Sequence, residues 1–297
     1  LIQDIKISSD EPHPNKYQEI VDGLKENKFK DIIFITGAGI STAAGIPDFR
    51  SKGGLFEQTK KKYGLSSPEA FFEIGHFYSH PEHFYDFCKG FDISHCKPTK
   101  THLFMGYLCK KNIVKRIFTQ NIDGLELLAG VPREKMTFAH GTITEAGCPE
   151  CSKSYEVDKV KEYIDQGKVL YCTCGKPVKP KVVFYGESLP NSFFRDFEDI
   201  YHTDLAFIMG SSLAVYPFNR LPYGISKEAW RVLINKEEVG NFLAGTFTMN
   251  QFRFDNPKRK DLFLSGYTDE IVTKLVNDCG WTEEFDKYCK EVLDQLK

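Results

Sequence analysis

The sequence predicts an α/β protein built on a mostly parallel sheet, with a second, smaller module formed by two insertions. Three observations carry that prediction: short apolar segments recur along the chain, helical segments lie between most of them, and a glycine-rich turn follows the first apolar run. Strands alternating with helices are the pattern of a parallel sheet covered on its faces by helices.

The expected strands are residues 31–36, 114–119, 182–185, 205–209, 231–234 and 261–264, each rich in Val, Ile, Leu or Phe. Near-continuous apolar runs of this length suit strands buried on both faces. A helix is expected over 102–111, with Thr99 as its N-cap. Another is expected over 191–202, with Phe193, Phe194, Phe197 and Ile200 along one side. The closing segment sets Trp281, Phe285, Tyr288, Val292 and Leu296 at helical spacing, a stripe read as core packing. Two stretches break the alternation. Residues 53–96 are aromatic and helical in tone, and residues 148–181 carry paired cysteines among turn residues. The expected division is a larger domain of 1–52, 97–147 and 182–297, and a smaller one of 53–96 and 148–181.

Over 297 residues, 41% hydrophobic and 27% charged content fits a folded globular protein. A formal net charge of -2 argues against direct nucleic-acid binding. The runs Lys60-Lys61-Lys62 and Lys258-Arg259-Lys260 read as solvated basic faces. The opening residues mix acids with apolar residues unlike a secretory signal, and no apolar run is long enough to span a bilayer, so an intracellular protein without membrane contact is expected. Nine cysteines in such a chain read as thiols and metal ligands rather than disulfides.

Gly37, Gly39 and Gly45 follow the first strand and open a helix-like stretch, the context of a phosphate-binding turn. Their spacing departs from the ordinary dinucleotide fingerprint, which would put the third glycine at Thr42, and no acidic residue ends a second strand about 20 residues on. A conventional dehydrogenase is therefore disfavoured. The turn runs directly into Ile46-Pro47-Asp48-Phe49-Arg50-Ser51, a segment suited to covering a nucleotide.

With that segment the sequence resembles the sirtuins, NAD-dependent protein deacylases, and the resemblance covers nearly the whole chain. It rests on the run from Gly37 to Ser51, on Thr119-Gln-Asn-Ile-Asp123, on His140-Gly141, on the cysteine pairs, on 179–187, on Gly210-Ser-Ser-Leu213 and on Leu233-Ile-Asn-Lys-Glu237. The aromatic insertion is similar to that of the branch containing the cytoplasmic and nuclear, sirtuin-2-like deacetylases. The resemblance implies a Rossmann-like domain, a helical and zinc-ribbon domain, and transfer of an acetyl group from lysine to ADP-ribose with release of nicotinamide.

It also implies roles. His140 is the candidate base, since a neutral imidazole near pH 7 can activate a ribose hydroxyl. Gln120 and Asn121 would meet the nicotinamide ribose or its water, and Asp123 with the Ile122 backbone would hold the carboxamide. Ala38, Gly39, Ile40, Ser41 and Thr42 would cradle the pyrophosphate, and Asp48, Phe49 and Arg50 would form a cofactor-covering loop. Ser211 and Ser212 would contact phosphate and ribose, Asn235, Lys236 and Glu237 the adenosine ribose, and Thr268 the adenine. Val183, Phe184 and Tyr185 would line the acyl-lysine channel beside an extended peptide. The implied substrates are acetylated lysines in proteins, of the histone or tubulin kind, in the cytoplasm, the nucleus or both.

Cys148-Pro-Glu-Cys151 and Cys172-Thr-Cys174 resemble a four-thiolate zinc ribbon with its second pair one residue short. Such a zinc ion is structural, because all four ligands come from protein. His80, His83, Cys88, His95 and Cys96 lack paired spacing and read as packing and surface residues. Mono-ADP-ribosyl transfer, NAD hydrolysis, long-chain deacylation and a noncatalytic NAD-responsive module are the competing readings. The set His140, Asn121 and Asp123 disfavours the last of these.

Overall fold

The computed structural model describes residues 15–47, 54–67, 69–90, 93, 95–240 and 250–296. Its strands are β1 (Ile32–Thr36), β2 (Val114–Thr119), β3 (Met136–Phe138), β4 (Gly141–Gly147), β5 (Ser154–Tyr155), β6 (Lys179–Val182), β7 (Leu205–Met209), β8 (Trp230–Asn235) and β9 (Asp261–Ser265). Six of them form one sheet in the order β3-β2-β1-β7-β8-β9, and every pair in it is parallel. That is the Rossmann-like order, in which the chain starts centrally, winds to one edge, then returns and winds to the other. The switch point falls between β1 and β7.

Burial explains why the central strands read as unbroken apolar runs: every residue of β1 and β7 is buried. Alternate residues face opposite layers. Ile32, Phe34, Phe207 and Val232 pack with Phe104, Leu275 and Phe285 on one face. Ile33, Ile35, Ile208 and Leu233 pack with Phe193, Ile200 and Phe218 on the other. The helix Thr282–Asp294 supplies Phe285 and Tyr288 to the first layer, with Trp281 and Val292 packed against it, so these four residues of the C-terminal stripe join the core, whereas Leu296 lies past the helix end and outside that cluster.

Two expectations are corrected. Residues 191–202 form an α-helix over Asn191–Asp196 and a 3-10 helix over Phe197–His202, and Phe194 is 59% exposed rather than sharing the face of Phe193 and Ile200. It follows Phe193 directly, about 100° away around the helix axis. Residues 182–185 are not a strand of the parallel sheet. The strand there is β6, which joins β4 and β5 in a separate antiparallel sheet, and the residues after it distribute their backbone bonds: Val183 N–H donates to His140 O (2.9 Å) and Tyr185 N–H to Phe72 O (2.8 Å). Val182 and Phe184 are buried while Tyr185 is exposed, an alternation and not two-sided burial.

The two insertions share a hydrophobic cluster of their own. Phe71, Phe77, Phe84 and Tyr85 from the first pack with Val160, Ile164, Leu170 and Val178 from the second. Tyr85 stitches them, its hydroxyl donating to Val178 O (2.7 Å) and accepting from Leu170 N–H (3.2 Å).

At the far edge of the large sheet, Arg231 and Asp261 are 1% and 2% exposed and meet in a two-pronged ion pair at 2.7 and 2.8 Å. The carbonyls of Pro222, Asn250 and Gln251 accept the remaining guanidinium protons. Removing one partner strands a buried charge, so Asp261→Ala is expected to lower unfolding free energy by about 3–5 kcal/mol. Urea denaturation read by circular dichroism checks this, and a loss below about 1 kcal/mol would contradict it.

Candidate active site and metal centre

The glycine turn is shaped by contact between two loops. After β1, Gly37 N–H donates to Met209 O (3.1 Å) and Gly39 N–H to Gly210 O (2.8 Å). A Cβ on Gly37 would lie 2.9 Å from Gly210 O, and one on Gly39 would lie 2.7 Å from Gly210 Cα. Gly45 is needed for another reason, its left-handed backbone at φ 87°. The stretch between forms two single 3-10 turns, Ala38–Ile40 and Thr42–Ala44, rather than a helix. The unusual spacing thus reflects two close approaches followed by one turn.

Behind this loop lies a buried polar network. Ser41 is 2% exposed, and its hydroxyl donates to Asp123 Oδ2 (2.8 Å) while accepting from Asn121 Nδ2 (3.1 Å). Asn121 Nδ2 also donates to Gly37 O (3.2 Å), and Asp123 Oδ1 accepts from Leu125 N–H (2.9 Å). Ser211 donates to Gln120 Oε1 (2.7 Å), which joins the loops after β2 and β7. Asn235, at the end of β8, donates to Ser211 O and Glu237 O. A cleft lined by Ala38, Ser41, Pro47, Asn121, Ile122 and Asp123 opens over the network.

Every described candidate cofactor residue therefore lies at the carboxyl end of a parallel strand: 38–42 after β1, 120–123 after β2, 211–212 after β7, 235–237 at and beyond the end of β8, and Thr268 after β9. This edge is where such sheets bind ligands. His140 follows β3 by two residues and is half-buried, its ring 6.2 Å from that of Phe218. Thr268 accepts from the Thr101 hydroxyl (3.0 Å) at the start of its helix. Phe184 packs edge-on against Phe72, Phe77 and Phe84 within the insertion core, leaving Val183 and Tyr185 as the outward residues of that segment. Asp48, Phe49 and Arg50 lie outside the described residues.

Two residues that sequence reasoning left out complete the network. His102 and Glu126 are both fully buried, beneath Ser41 and Asp123. Burial drives the His102 imidazole down to about 3. Burial, then the charge of Asp123, push the Glu126 carboxyl up to about 8, and burial also raises Asp123. The available signals were the Thr99-x-x-His102 capping spacing and an acidic residue set among Leu125, Leu127, Leu128 and Ala129.

The four cysteines of the ribbon converge. Cys148 Sγ lies 3.5 Å from Cys174 Sγ, Cys151 Sγ lies 3.5 Å from Cys172 Sγ, and all four sulfurs fall within 4.8 Å of one another. A tetrahedral zinc ion with Zn–S bonds of about 2.3 Å spaces its sulfurs about 3.8 Å apart, so the donor set fits a structural zinc site. Gly175, at φ 86°, tightens the short second pair, with its N–H donating to Cys172 O (2.9 Å). The histidine group differs. The rings of His80 and His83 are stacked 5.0 Å apart, and His80 Nδ1 and His83 Nε2 lie 3.3 and 4.0 Å from Glu82 Oε1, a partly exposed trio on the surface. Cys96 packs elsewhere, against Ile46 and Leu125.

The model of the Sir2 family matches residues 37–217, which span the glycine turn, the polar network, His140 and the four cysteines. The chain belongs to the Sir2 family. It is 42% identical over 281 residues to the NAD-dependent deacetylase sir2A of Dictyostelium discoideum, covering 92% of this chain and 53% of that protein, so it spans about half the length of that relative. It is 40% identical over 276 residues to the NAD-dependent protein deacetylase sirtuin-2 of Danio rerio, covering 90% and 73%. Against the NAD-dependent protein deacetylase sirtuin-3 of Mus musculus, identity is 37% over 268 residues, covering 90% and 77%.

For this Sir2 chain, purified without chelator, elemental analysis is expected to find one zinc per chain. Chelation or Cys151→Ser is expected to lower thermal stability in parallel with metal loss. A zinc content below about half an equivalent would remove the four-cysteine assignment.

Proposed function

We infer that the chain is an NAD-dependent protein-lysine deacetylase, transferring the acetyl group of an acetylated lysine to ADP-ribose. The observation that carries this is the placement of the Ser41, Asn121 and Asp123 network and His140 at one edge of the sheet, in a chain whose relatives bear that activity in their names. The geometry suits the cosubstrate. Gly37 and Gly39 let backbone come close where a side chain could not, and Asn121 is held by two partners with its amide fixed toward the cleft floor.

When bound, NAD supplies an electrophilic ribose carbon and a nicotinamide leaving group. The chain supplies orientation and proton handling. The turn 38–42 and Ser211 with Ser212 hold the pyrophosphate, and Asn235, Lys236, Glu237 and Thr268 hold the adenosine end. Gln120 and Asn121 position the nicotinamide ribose, while Asp123 and the Ile122 backbone hold the carboxamide. An imidazole nitrogen of His140 would take a proton from a ribose hydroxyl.

Val183 and Tyr185 flank the acetyl-lysine, with Phe184 anchoring their segment in the insertion core. The 2.9 Å bond from Val183 N–H to His140 O supports this, since it sets that segment beside the base. Extended segments of other proteins, of the histone or tubulin kind, are the substrate class. The smaller domain is taken as 53–96 with 148–181, supported by its separate hydrophobic cluster. A cytoplasmic or nuclear setting is supported by cysteines that form no disulfide among the described residues, four of them gathered as metal ligands. Among the described residues no helix is long and apolar enough to cross a membrane.

Incubation with NAD and an acetyl-lysine peptide is expected to yield deacetylated peptide, nicotinamide and O-acetyl-ADP-ribose in equal amounts, measured by mass spectrometry. Nicotinamide release without peptide turnover would identify a hydrolase instead. His140→Ala is expected to reduce turnover by roughly 10²–10⁴-fold with an unaltered circular dichroism spectrum. Near-normal turnover in that variant would remove His140 from the role of base.

A further inference from the structure

Glu126 belongs to the short helix Leu125–Leu128, which starts directly behind Asp123 and packs against the helix Lys100–Lys110. It is 0% exposed, and neither of its carboxyl oxygens has a well-formed hydrogen bond. Acceptor atoms of Glu126, Asp123 and His102 all fall within 4.8 Å of one another. A buried carboxylate without a partner is costly, and two carboxylates this close cannot both ionise freely.

The hydrogen bonds decide which carboxyl carries the charge. Asp123 receives two donors, the Ser41 hydroxyl at 2.8 Å and the Leu125 N–H at 2.9 Å, whereas Glu126 receives none so well placed. His102 cannot neutralise a second carboxylate. Thr99 N–H donates to its Nδ1 at 3.2 Å, so in the neutral ring the proton sits on Nε2, which lies 3.5 Å from Ser41 Oγ. With one nitrogen accepting and the other protonated, His102 also has no lone pair for a metal ion. The ionisable groups facing Glu126 are thus Asp123 from its own loop and a neutral His102 from Lys100–Lys110, and Thr119 at the end of β2 adds the neighbouring hydroxyl.

We propose that Glu126 is a positioning residue that acts through Asp123: as a neutral acid it leaves Asp123 the single negative charge of the pocket floor and sets how tightly the pocket holds the carboxamide of nicotinamide. This rests on the reading of Asp123 as the carboxamide holder. The proton on Glu126 keeps Asp123 ionised and bonded to Ser41, and Ser41 in turn fixes Asn121. When Glu126 loses that proton, a second charge arises behind Asp123 with no cation to offset it. The two carboxylates repel, and the pocket loosens its hold on the carboxamide. Burial and the neighbouring charge place that loss near pH 8.

The test compares the zinc-loaded wild-type enzyme with Glu126→Gln, which keeps the shape and cannot titrate, and with Glu126→Met as a second neutral variant of similar volume. The first readout is thermal stability against pH without substrate. The folded protein retains a proton that the unfolded chain releases near 4.5, so wild type loses stability as pH rises from about 4.5 to about 8. The neutral variants lack that slope. The second readout is inhibition of deacetylation by nicotinamide, a probe that does not titrate in this range. Wild type is expected to need about fivefold or more nicotinamide for half-inhibition at pH 9.5 than at pH 7, while Glu126→Gln stays within about twofold.

Equal stability slopes in wild type and both variants would overturn the proposal by showing that Glu126 holds no proton. Different slopes with parallel nicotinamide profiles would also overturn it, because Glu126 would then be merely structural. Wild-type enzyme without NAD-dependent deacetylation at pH 7 would overturn the functional reading and the proposal together, whereas wild-type activity with parallel profiles overturns the proposal alone.

Discussion

The site depends on one backbone contact, the approach of the β1 loop to the β7 loop at the switch point of the sheet. Gly39 N–H reaches Gly210 O at 2.8 Å, and no Cβ fits on Gly37 or Gly39 without meeting that same strip of backbone. Gly210 itself sits at φ 60°, where a side chain would be strained, and its own Cβ would lie 2.7 Å from Ile40 N. The contact ties together the loops that leave the two halves of the sheet. It also aims the residues after Gly39 across the strand ends, so that Ser41 reaches Asn121 and Asp123 from the β2 loop.

That reach has a fixed direction of hydrogen bonding. The Ser41 hydroxyl has one proton, and it goes to Asp123. Its lone pairs face Asn121 Nδ2, which can only donate, and His102 Nε2, which is protonated because the capping bond from Thr99 occupies Nδ1. With His102 in that tautomer, the Ser41 hydroxyl has Asp123 as its acceptor. The N-cap Thr99, more than fifty positions from Ser41 in sequence, is thereby linked through His102 and Ser41 to the amide of Asn121.

Much of this was legible in the sequence. The strands β1, β2, β7, β8 and β9 appear within one residue of their apolar runs, because burial on both faces leaves an uninterrupted signal. The strand β3 has three residues, too few to show a period, and β4 mixes Thr, Glu and Gly, since its middle residues are partly exposed. Residues 182–185 misled for the opposite reason: they are apolar, but Val182 pairs with β4 in the small antiparallel sheet and the residues after it bond to His140 and Phe72 rather than to a strand of the parallel sheet. At the site, Ser41 came from the resemblance alone, while Asn121 and Asp123 stood out as polar residues after a strand. Glu126 and His102 did not, because a buried acid inside a short helix has the same letters as an exposed one. Only burial distinguishes them.

The placement of His140 links the cysteine module to the chemistry. His140 stands where the chain leaves β3 and enters β4, and β4 pairs with β6 so that Gly141 lies opposite Val182 and Gly147 opposite Lys179. One end of this ladder therefore carries His140 beside Val183. The other end leads directly into Cys148, while Cys172 and Cys174 lie just before β6. Between the ends, β4 bulges after Thr142, and the bulge turns Ile143 N–H onto Ile122 O at 3.0 Å, in the loop that holds Asn121 and Asp123. A ladder with a bulge can slip in register unless both ends are held. The close packing of Gly141 on Lys181 holds one end, and four thiolates around a metal would hold the other. A metal held by those four thiolates would thus fix strand register, keeping His140, Val183 and the 120–123 loop in one frame.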